Sequence, residues 1–100
     1  MKSLSTQQFN ELLTSGAPFA VDFYAGWCVA CAEMLPVMTE IAQEHSVPVY
    51  KVNIDDEPEL KEKLRIKAIP MVMMFKDGRL REFSYGKVSK EKIVSKLNRL

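Results

Sequence analysis

The sequence contains two cysteines, Cys28 and Cys31, separated by two residues. A Cys-x-x-Cys pair can close into a disulfide, reopen as a dithiol, or supply two thiolate ligands to a metal ion. The pair follows an apolar run, residues 19–24, and precedes a segment with helical periodicity. This placement between a predicted strand and a predicted helix favours redox chemistry over a purely structural bridge.

The predicted helix should make the Cys28 thiol more acidic and more exposed than the Cys31 thiol. Cys28, at its first turn, lies near unpaired backbone N–H groups and the positive end of the helix dipole, and both stabilise a thiolate. Cys31 lies one turn further along, and we expect it to be more buried. The outer sulfur is then suited to attack a disulfide and the inner sulfur to resolve the product. Two unreactive core cysteines are the alternative.

A metal site is the other chemistry open to this pair. Two thiolates supply half of a tetrahedral zinc shell. The single histidine, His45, lies fourteen residues beyond Cys31 on what the periodicity predicts to be one helix. At 1.5 Å rise per residue the two are roughly 20 Å apart, so His45 cannot complete the shell within one chain or act as a base for either thiol. We therefore predict no metal and place His45 on the surface at a helix end.

Asp22 lies inside the apolar run before the cysteines. A buried carboxylate is costly to keep charged, so burial should raise its pKa. Six residues before Cys28, it is a candidate general base or proton shuttle for the inner sulfur. A carboxylate on an edge strand, facing water, is an equally good interpretation. Lys51, in the next predicted strand, is either its ionic partner or a solvated side chain.

The remaining periodicities describe the elements that must position these groups. Four runs rich in β-formers predict strands at residues 19–24, 47–54, 71–75 and 80–85. Helical spacing separates the first three, which implies parallel crossovers, and Asp77-Gly78 predicts a tight antiparallel hairpin. The fold class is therefore α/β, with a central mixed sheet of four to five strands flanked by four helices. Residues 2–4 are too few to assign as a strand.

Helix boundaries are predicted from capping patterns. Ser5 with Gln8 forms a capping box before the first helix, and Ser89 is a suitable N-cap for the last. Asp56 with Glu59 forms a variant of the box before the third helix.

Composition limits the remaining function classes. One hundred residues, 47% of them apolar and 27% charged, predict one globular domain over residues 1–100. A net charge of +1 gives no support for nucleic acid as a partner. The N-terminus lacks an apolar signal core and no segment approaches the ~20 apolar residues of a membrane helix. We expect a cytoplasmic monomer without a membrane partner, although the processed form of an exported protein would look the same.

Taken in order and spacing, several segments resemble the thioredoxin family over nearly the whole chain. They are the strand and loop of residues 21–31, Pro36 within the second helix, residues 51–55, residues 66–70 ending in Pro70, residues 75–78, and Gly86. The resemblance implies a thioredoxin-like fold and thiol-disulfide oxidoreductase activity, with no bound cofactor.

The resemblance also implies roles for individual residues. Cys28 corresponds to the nucleophile and Cys31 to the resolving thiol. Asp22 corresponds to the buried carboxylate that assists Cys31, supported by Lys51. The residues that would border the groove for a substrate peptide are Trp27, Ile69, Pro70 and Gly86, with Pro70 corresponding to the family's cis-proline. The implied partners are proteins that contain disulfides and an upstream reductase similar to thioredoxin reductase.

The sequence departs from the family's usual pattern near the cysteines. Val29-Ala30 replaces Gly-Pro, Ala32 replaces Lys, Ala68 replaces Gly and Met71 replaces Thr. Neither residue between the cysteines adds a charge that would strongly stabilise the thiolate, so we expect a reductant and not a strong oxidant. Two alternatives stay open. The altered loop favours a dedicated redox relay to one partner, whereas an exposed apolar groove around Trp27 and Pro70 would also suit a non-catalytic binding module on the same fold.

Overall fold

Five strands form one mixed sheet in the computed structural model, which describes residues 1–100. The strand order across the sheet is β1-β3-β2-β4-β5. The elements in chain order are β1 (Lys2–Ser3), α1 (Thr6–Ser15), β2 (Phe19–Tyr24), α2 (Val29–Glu44), β3 (Val49–Asn53), α3 (Pro58–Lys63), β4 (Met71–Lys76), β5 (Arg79–Tyr85) and α4 (Lys90–Leu97). The predicted α/β class, with four helices, is confirmed, and the short N-terminal segment supplies the fifth strand.

Strand β2 lies at the centre of the sheet. It runs parallel to β3 and antiparallel to β4, and β1 adds to β3 in parallel. The predicted parallel crossover is confirmed from β2 to β3, but the one predicted from β3 to β4 is wrong. After the six-residue helix α3 the chain re-enters the sheet at the edge where β3 ends, since Met71, the first residue of β4, lies opposite Phe23 near the end of β2. In this register Asp22 lies opposite Lys51 on one side and Val72 on the other. Neighbouring side chains in register point to the same face, so these three residues share one face of the sheet.

The hairpin between β4 and β5 forms where the sequence predicts it. Asp77 and Gly78 both have positive φ, 56° and 76°. Two consecutive residues with positive φ are the requirement of the turn type that best fits the twist of paired strands, and Asp-Gly adopts it readily. The antiparallel edge strand β5 therefore follows from local chemistry.

Two of the three predicted helix caps are confirmed, and one is wrong. The Ser5–Gln8 capping box is present, and Ser89 accepts a hydrogen bond from the Lys92 N–H at 3.2 Å. Helix α3, however, has Glu57 as its N-cap residue, with no side-chain capping bond.

The predicted box of Asp56 and Glu59 fails because the chain turns once more before α3 begins. The N–H groups of Asp56 and Glu57 both donate to the carbonyl of Asn53, so Asp56 lies inside this turn. The Glu57 carboxylate accepts bonds from the Thr6 N–H at 2.6 Å and the Thr6 hydroxyl at 3.2 Å. The residue at the start of α3 thus ties that helix to α1.

The core lies in two layers, one on each face of the sheet. One layer contains Phe9 of α1 and Leu60 of α3 together with aromatic residues of the strands. The other contains three residues of α2 and two of α4, listed here with the strand residues they cover: Met34, Met38, Ile41, Ile93, Leu97, Ala20, Val49, Val72 and Met74. None of the four helices is both long and apolar enough to cross a membrane.

Candidate active site

The two cysteines lie where β2 leads into α2, and a disulfide joins them. Their Cα atoms are 5.2 Å apart, within the ordinary range for a disulfide. Cys28 is the N-cap residue of α2, one position before the first helical residue, and its Sγ accepts a bond from the Cys31 N–H at 3.2 Å. The sulfur therefore takes the place that a serine or aspartate oxygen takes in an ordinary cap. The structure represents the oxidised state.

The two sulfur-bearing residues differ in burial as the sequence predicts. Cys31 is 3% exposed, whereas Cys28 is half-buried at the surface. The residues on either side of Cys28 are strongly exposed, Trp27 at 69% and Val29 at 74%. A large partner can approach Cys28 across this apolar surface, while Cys31 is enclosed beneath it.

Asp22 is completely buried on the central strand. Neither of its carboxylate oxygens has a hydrogen-bond partner. Burial raises its pKa to about 7, and the positive charge of Lys51 opposes part of that rise. Asp22 points to the face covered by α2, the helix that carries Cys31. The alternative of a solvated carboxylate on an edge strand is excluded, because β2 is the central strand.

Lys51 lies beside Asp22 on β3 but forms no ion pair with it within 4.0 Å. Its Nζ lies 5.9 Å from the centre of the Tyr24 ring, at the reach of a cation–π contact. The half-buried ammonium therefore acts on Asp22 through space and leaves the carboxylate unpaired.

Trp27 is fixed by a contact that the sequence analysis did not identify. Its indole N–H donates to an Asp55 carboxylate oxygen at 2.9 Å, and the Asp55 N–H donates to the Asn53 side-chain oxygen at 2.9 Å. Asp55 is the second residue beyond the end of β3, at the same edge of the sheet as the end of β2. Because parallel strands end at the same edge, this position is the signal that would have placed Asp55 beside the redox loop.

Pro70 and Gly86 meet beside the redox loop. The Ile69–Pro70 peptide bond is cis, Pro70 is buried, and the Gly86 N–H donates to its carbonyl at 2.8 Å. Gly86 has a φ of +82°, a conformation that favours glycine.

An open groove of about 550 Å³ runs beside this pair. We call it the Trp27–Tyr85 groove after two of its exposed lining residues; the others are Ile54, Lys61, Ile66, Lys67, Ala68 and Ile69. Both Trp27 and Ile69 line it. Pro70 and Gly86 do not line it.

His45 lies at the opposite end of α2 from the cysteines. It is the C-cap residue, its Nε2 pairs with the Asn98 side-chain oxygen at 2.8 Å, and its Nδ1 accepts from the Val47 N–H at 3.1 Å. It is half-buried and holds α2 to the end of α4. No cluster of three or more His, Cys, Asp or Glu side chains is arranged to hold a metal ion.

Comparison with known proteins identifies the family. The Thioredoxin family model matches residues 1–99. The chain belongs to the thioredoxin family. A thioredoxin-family protein that retains both cysteines is a thiol-disulfide oxidoreductase of the protein disulfide reductase type.

Individual relatives agree with this membership. The chain is 41% identical over 91 residues to thioredoxin 1 of Synechococcus elongatus, covering 89% of this chain and 85% of that protein. It is 39% identical over 90 residues to the thioredoxin of Rickettsia bellii, covering 88% and 86%. Among solved structures, oxidised mitochondrial thioredoxin 3 of Saccharomyces cerevisiae superposes with a TM-score of 0.89 at 25% identity, covering 100% of this chain and 95% of the other.

Proposed function

We propose that Cys28 is the nucleophile with which this thioredoxin-family protein reduces disulfides in other proteins. Its thiolate attacks one sulfur of the substrate disulfide, which forms a Cys28–substrate disulfide and releases the other substrate sulfur as a thiolate. The position of Cys28 as the N-cap of α2 supports this role, because the N–H of Cys31 already points at its sulfur and stabilises negative charge there.

Cys31 resolves the intermediate. Its thiolate attacks the Cys28 sulfur, the Cys28–Cys31 disulfide forms, and the second substrate sulfur leaves as a thiolate. Two electrons pass from the protein dithiol to the substrate, whose two thiolates take up protons from solvent. The enclosed position of Cys31 supports this order, because only Cys28 is open to a bulky substrate.

Asp22 is the group that removes the proton from Cys31 before the second attack. Its pKa of about 7 matches the requirement of a base that works near neutral pH. The neighbouring Lys51 acts through Asp22. Its positive charge lowers the pKa of that carboxyl and so limits the rise that burial causes. The buried carboxylate without hydrogen-bond partners is the single observation that carries this assignment.

The surface around Cys28 takes the substrate, with Trp27, Ile69, Pro70 and Gly86 forming the docking region. The substrates are cytoplasmic proteins that contain disulfides. An upstream reductase of the thioredoxin reductase type returns the Cys28–Cys31 disulfide to the dithiol, so that the pair carries electrons from that donor to the substrate. The uncharged Val29-Ala30 dipeptide supports the reducing direction.

Two matched cysteine substitutions test the order of attack. In an insulin reduction assay with a chemical dithiol as electron source, we expect Cys28→Ser to abolish turnover. Cys31→Ser should also stop turnover. When it is first reduced and then mixed with insulin after the dithiol has been removed, it should accumulate mixed disulfides with the substrate, detectable as a mass increase that added reductant reverses. Undiminished turnover by Cys28→Ser would overturn the mechanism. A Cys28→Ser/Cys31→Ser variant that kept full function in the cell would favour the non-catalytic binding module.

A further inference from the structure

The Trp27–Tyr85 groove combines an apolar lining with charge of one sign. Six of its eight lining residues are hydrophobic, and the remaining two are Lys61 and Lys67. No acidic side chain lines it, and the nearby Asp55 carboxylate is engaged by the Trp27 indole N–H at 2.9 Å. Trp27 connects the groove to the redox centre, because it directly precedes Cys28 and its exposed ring forms part of the wall.

The two lysines belong to a basic segment that runs from α3 to the start of β4. Lys61, Lys63, Arg65 and Lys67 are all exposed, and none takes part in any of the six ion pairs of the chain. Lys63 donates instead to the neutral side-chain oxygen of Asn10 at 2.8 Å. These positive charges have no carboxylate bound to them, although Glu62 lies among them in the sequence.

The chain as a whole is nearly neutral, with a net charge of +1. The positive charge of this segment is therefore local and not a general property of the surface. A second open cavity beside the groove is lined by the same four basic residues together with Pro58, Glu62 and Ile66. The positive surface therefore continues from the groove over the outer side of α3. Lys61 and Lys67 line both cavities, so the groove and this positive surface are adjacent.

We propose that the groove selects a partner segment that carries carboxylates next to an apolar side chain, on a protein whose disulfide is attacked by Cys28. This inference rests on the proposed function and adds the class of substrate. The apolar side chain packs against Trp27 and Ile69, and the carboxylates pair with Lys61 and Lys67. Complementary charge of this kind speeds encounter and discriminates between partners more than it strengthens the final complex.

The size of the effect follows from the exposure of both lysines. An exposed ion pair changes an equilibrium by about two- to fivefold and is weakened by salt. Two such pairs predict a preference of about tenfold for an acidic over a basic partner at low ionic strength. The preference should shrink towards unity at 0.5 M salt, where the screening length is roughly 4 Å.

Three disulfide peptides provide the test. Each carries the same fluorescence-quenched disulfide and the same apolar residue, flanked by two Asp, two Ser or two Lys residues. The measured quantity is the second-order rate constant with which the fully reduced protein opens each peptide. The test variant is Lys61→Glu/Lys67→Glu. The matched control is Lys2→Glu/Lys92→Glu, which reverses two exposed lysines that lie outside the groove and in no ion pair.

We expect the unchanged protein and the control to open the Asp peptide about ten times faster than the Lys peptide, and the test variant to lose or invert that ratio. Rates with the Ser peptide should stay within about twofold across all three proteins, which shows that the test variant is folded and reactive. Equal rates for all peptides with the unchanged protein, or the same ratio in the test variant and the control, overturn the inference but leave the proposed function intact. Failure to open even the Ser peptide overturns both.

Discussion

The two faces of the central sheet are built from different chemistry. On the α1/α3 face, Phe9, Phe19 and Phe75 pack with ring centres 5.0–5.7 Å apart, in one stacked and two edge-to-face pairs. Every buried residue of that layer is apolar. On the α2/α4 face, methionines take the place of aromatic rings, and the two buried polar residues of the chain, Asp22 and Ser84, lie in the same layer.

The α1/α3 layer mainly stabilises the fold, whereas the α2/α4 layer contains the group suited to proton transfer. Aromatic pairs add about 0.5–1.5 kcal/mol each beyond the area that they bury, so the α1/α3 layer is the stronger anchor. The α2/α4 layer accepts an unpaired carboxylate, which weakens folding, and that same carboxylate is suited to proton transfer at Cys31. The adaptable shape of methionine allows this layer to pack around a polar group.

The largest expected effect comes from breaking the aromatic layer. Phe9 is fully buried and contacts both other rings, so Phe9→Ala should reduce the free energy of unfolding by about 3–5 kcal/mol. The measurement is urea denaturation at pH 7. Phe83→Ala, at a ring that is 57% exposed, is the control and should cost less than about 1 kcal/mol. The rate of disulfide reduction per folded molecule should be unchanged in both variants; a large loss in Phe9→Ala would show that the two faces are not separable.

The second prediction concerns Asp22 on the α2/α4 face, where a substitution should stabilise the protein. The Asp22 carboxyl loses its proton near pH 3.8 when solvated and near pH 7 when folded. Between those values the folded state binds more protons, so its stability falls as the pH rises and the loss is complete above about pH 8. At 1.36 kcal/mol per pKa unit, Asp22→Asn should stabilise the protein by up to about 4 kcal/mol at pH 9 and by little at pH 3.

The same substitution should slow resolution of the mixed disulfide at pH 7 by about tenfold or more, since a positioned base contributes that much or more. Urea denaturation across pH 3–9 and single-turnover kinetics measure the two effects. Asp56→Asn, at an exposed carboxylate, is the matched control and should change neither. A stability curve for Asp22→Asn that runs parallel to that of the unchanged protein would contradict the account of a buried, uncompensated charge.

The smallest effect concerns the other polar residue on the α2/α4 face. The Ser84 hydroxyl is buried and has no hydrogen-bond partner. Ser84→Ala removes a desolvated group and should stabilise the fold by about 1 kcal/mol or less, without a change in pH dependence. Denaturation at pH 5 and pH 8 measures this. A cost above about 1 kcal/mol would mean that the hydroxyl has a partner in solution, and that Asp22 alone distinguishes the two faces.

Much of the framework is determined by residues that are close together in the sequence. The Cys-x-x-Cys spacing, the Asp77-Gly78 turn and the Ser5 and Ser89 caps depend on contacts between near neighbours in the chain, and such contacts are the same in any fold that contains them. The alternation of strand and helix periods likewise predicts the α/β class. The predicted cap at Asp56 failed because a single turn displaced the start of α3, which periodicity does not resolve.

The sequence by itself therefore determined that two thiols sit at the start of a helix after a strand, and that their burial differs. Only the tertiary structure decided what surrounds them. Asp22 is fully buried because β2 lies at the centre of the sheet and beneath α2, and the strand order depends on long-range pairing. The Asp55–Trp27 bond joins residues 28 positions apart, and the Trp27–Tyr85 groove likewise brings together three separate parts of the chain. Contacts between such distant segments exist only once the whole sheet has assembled.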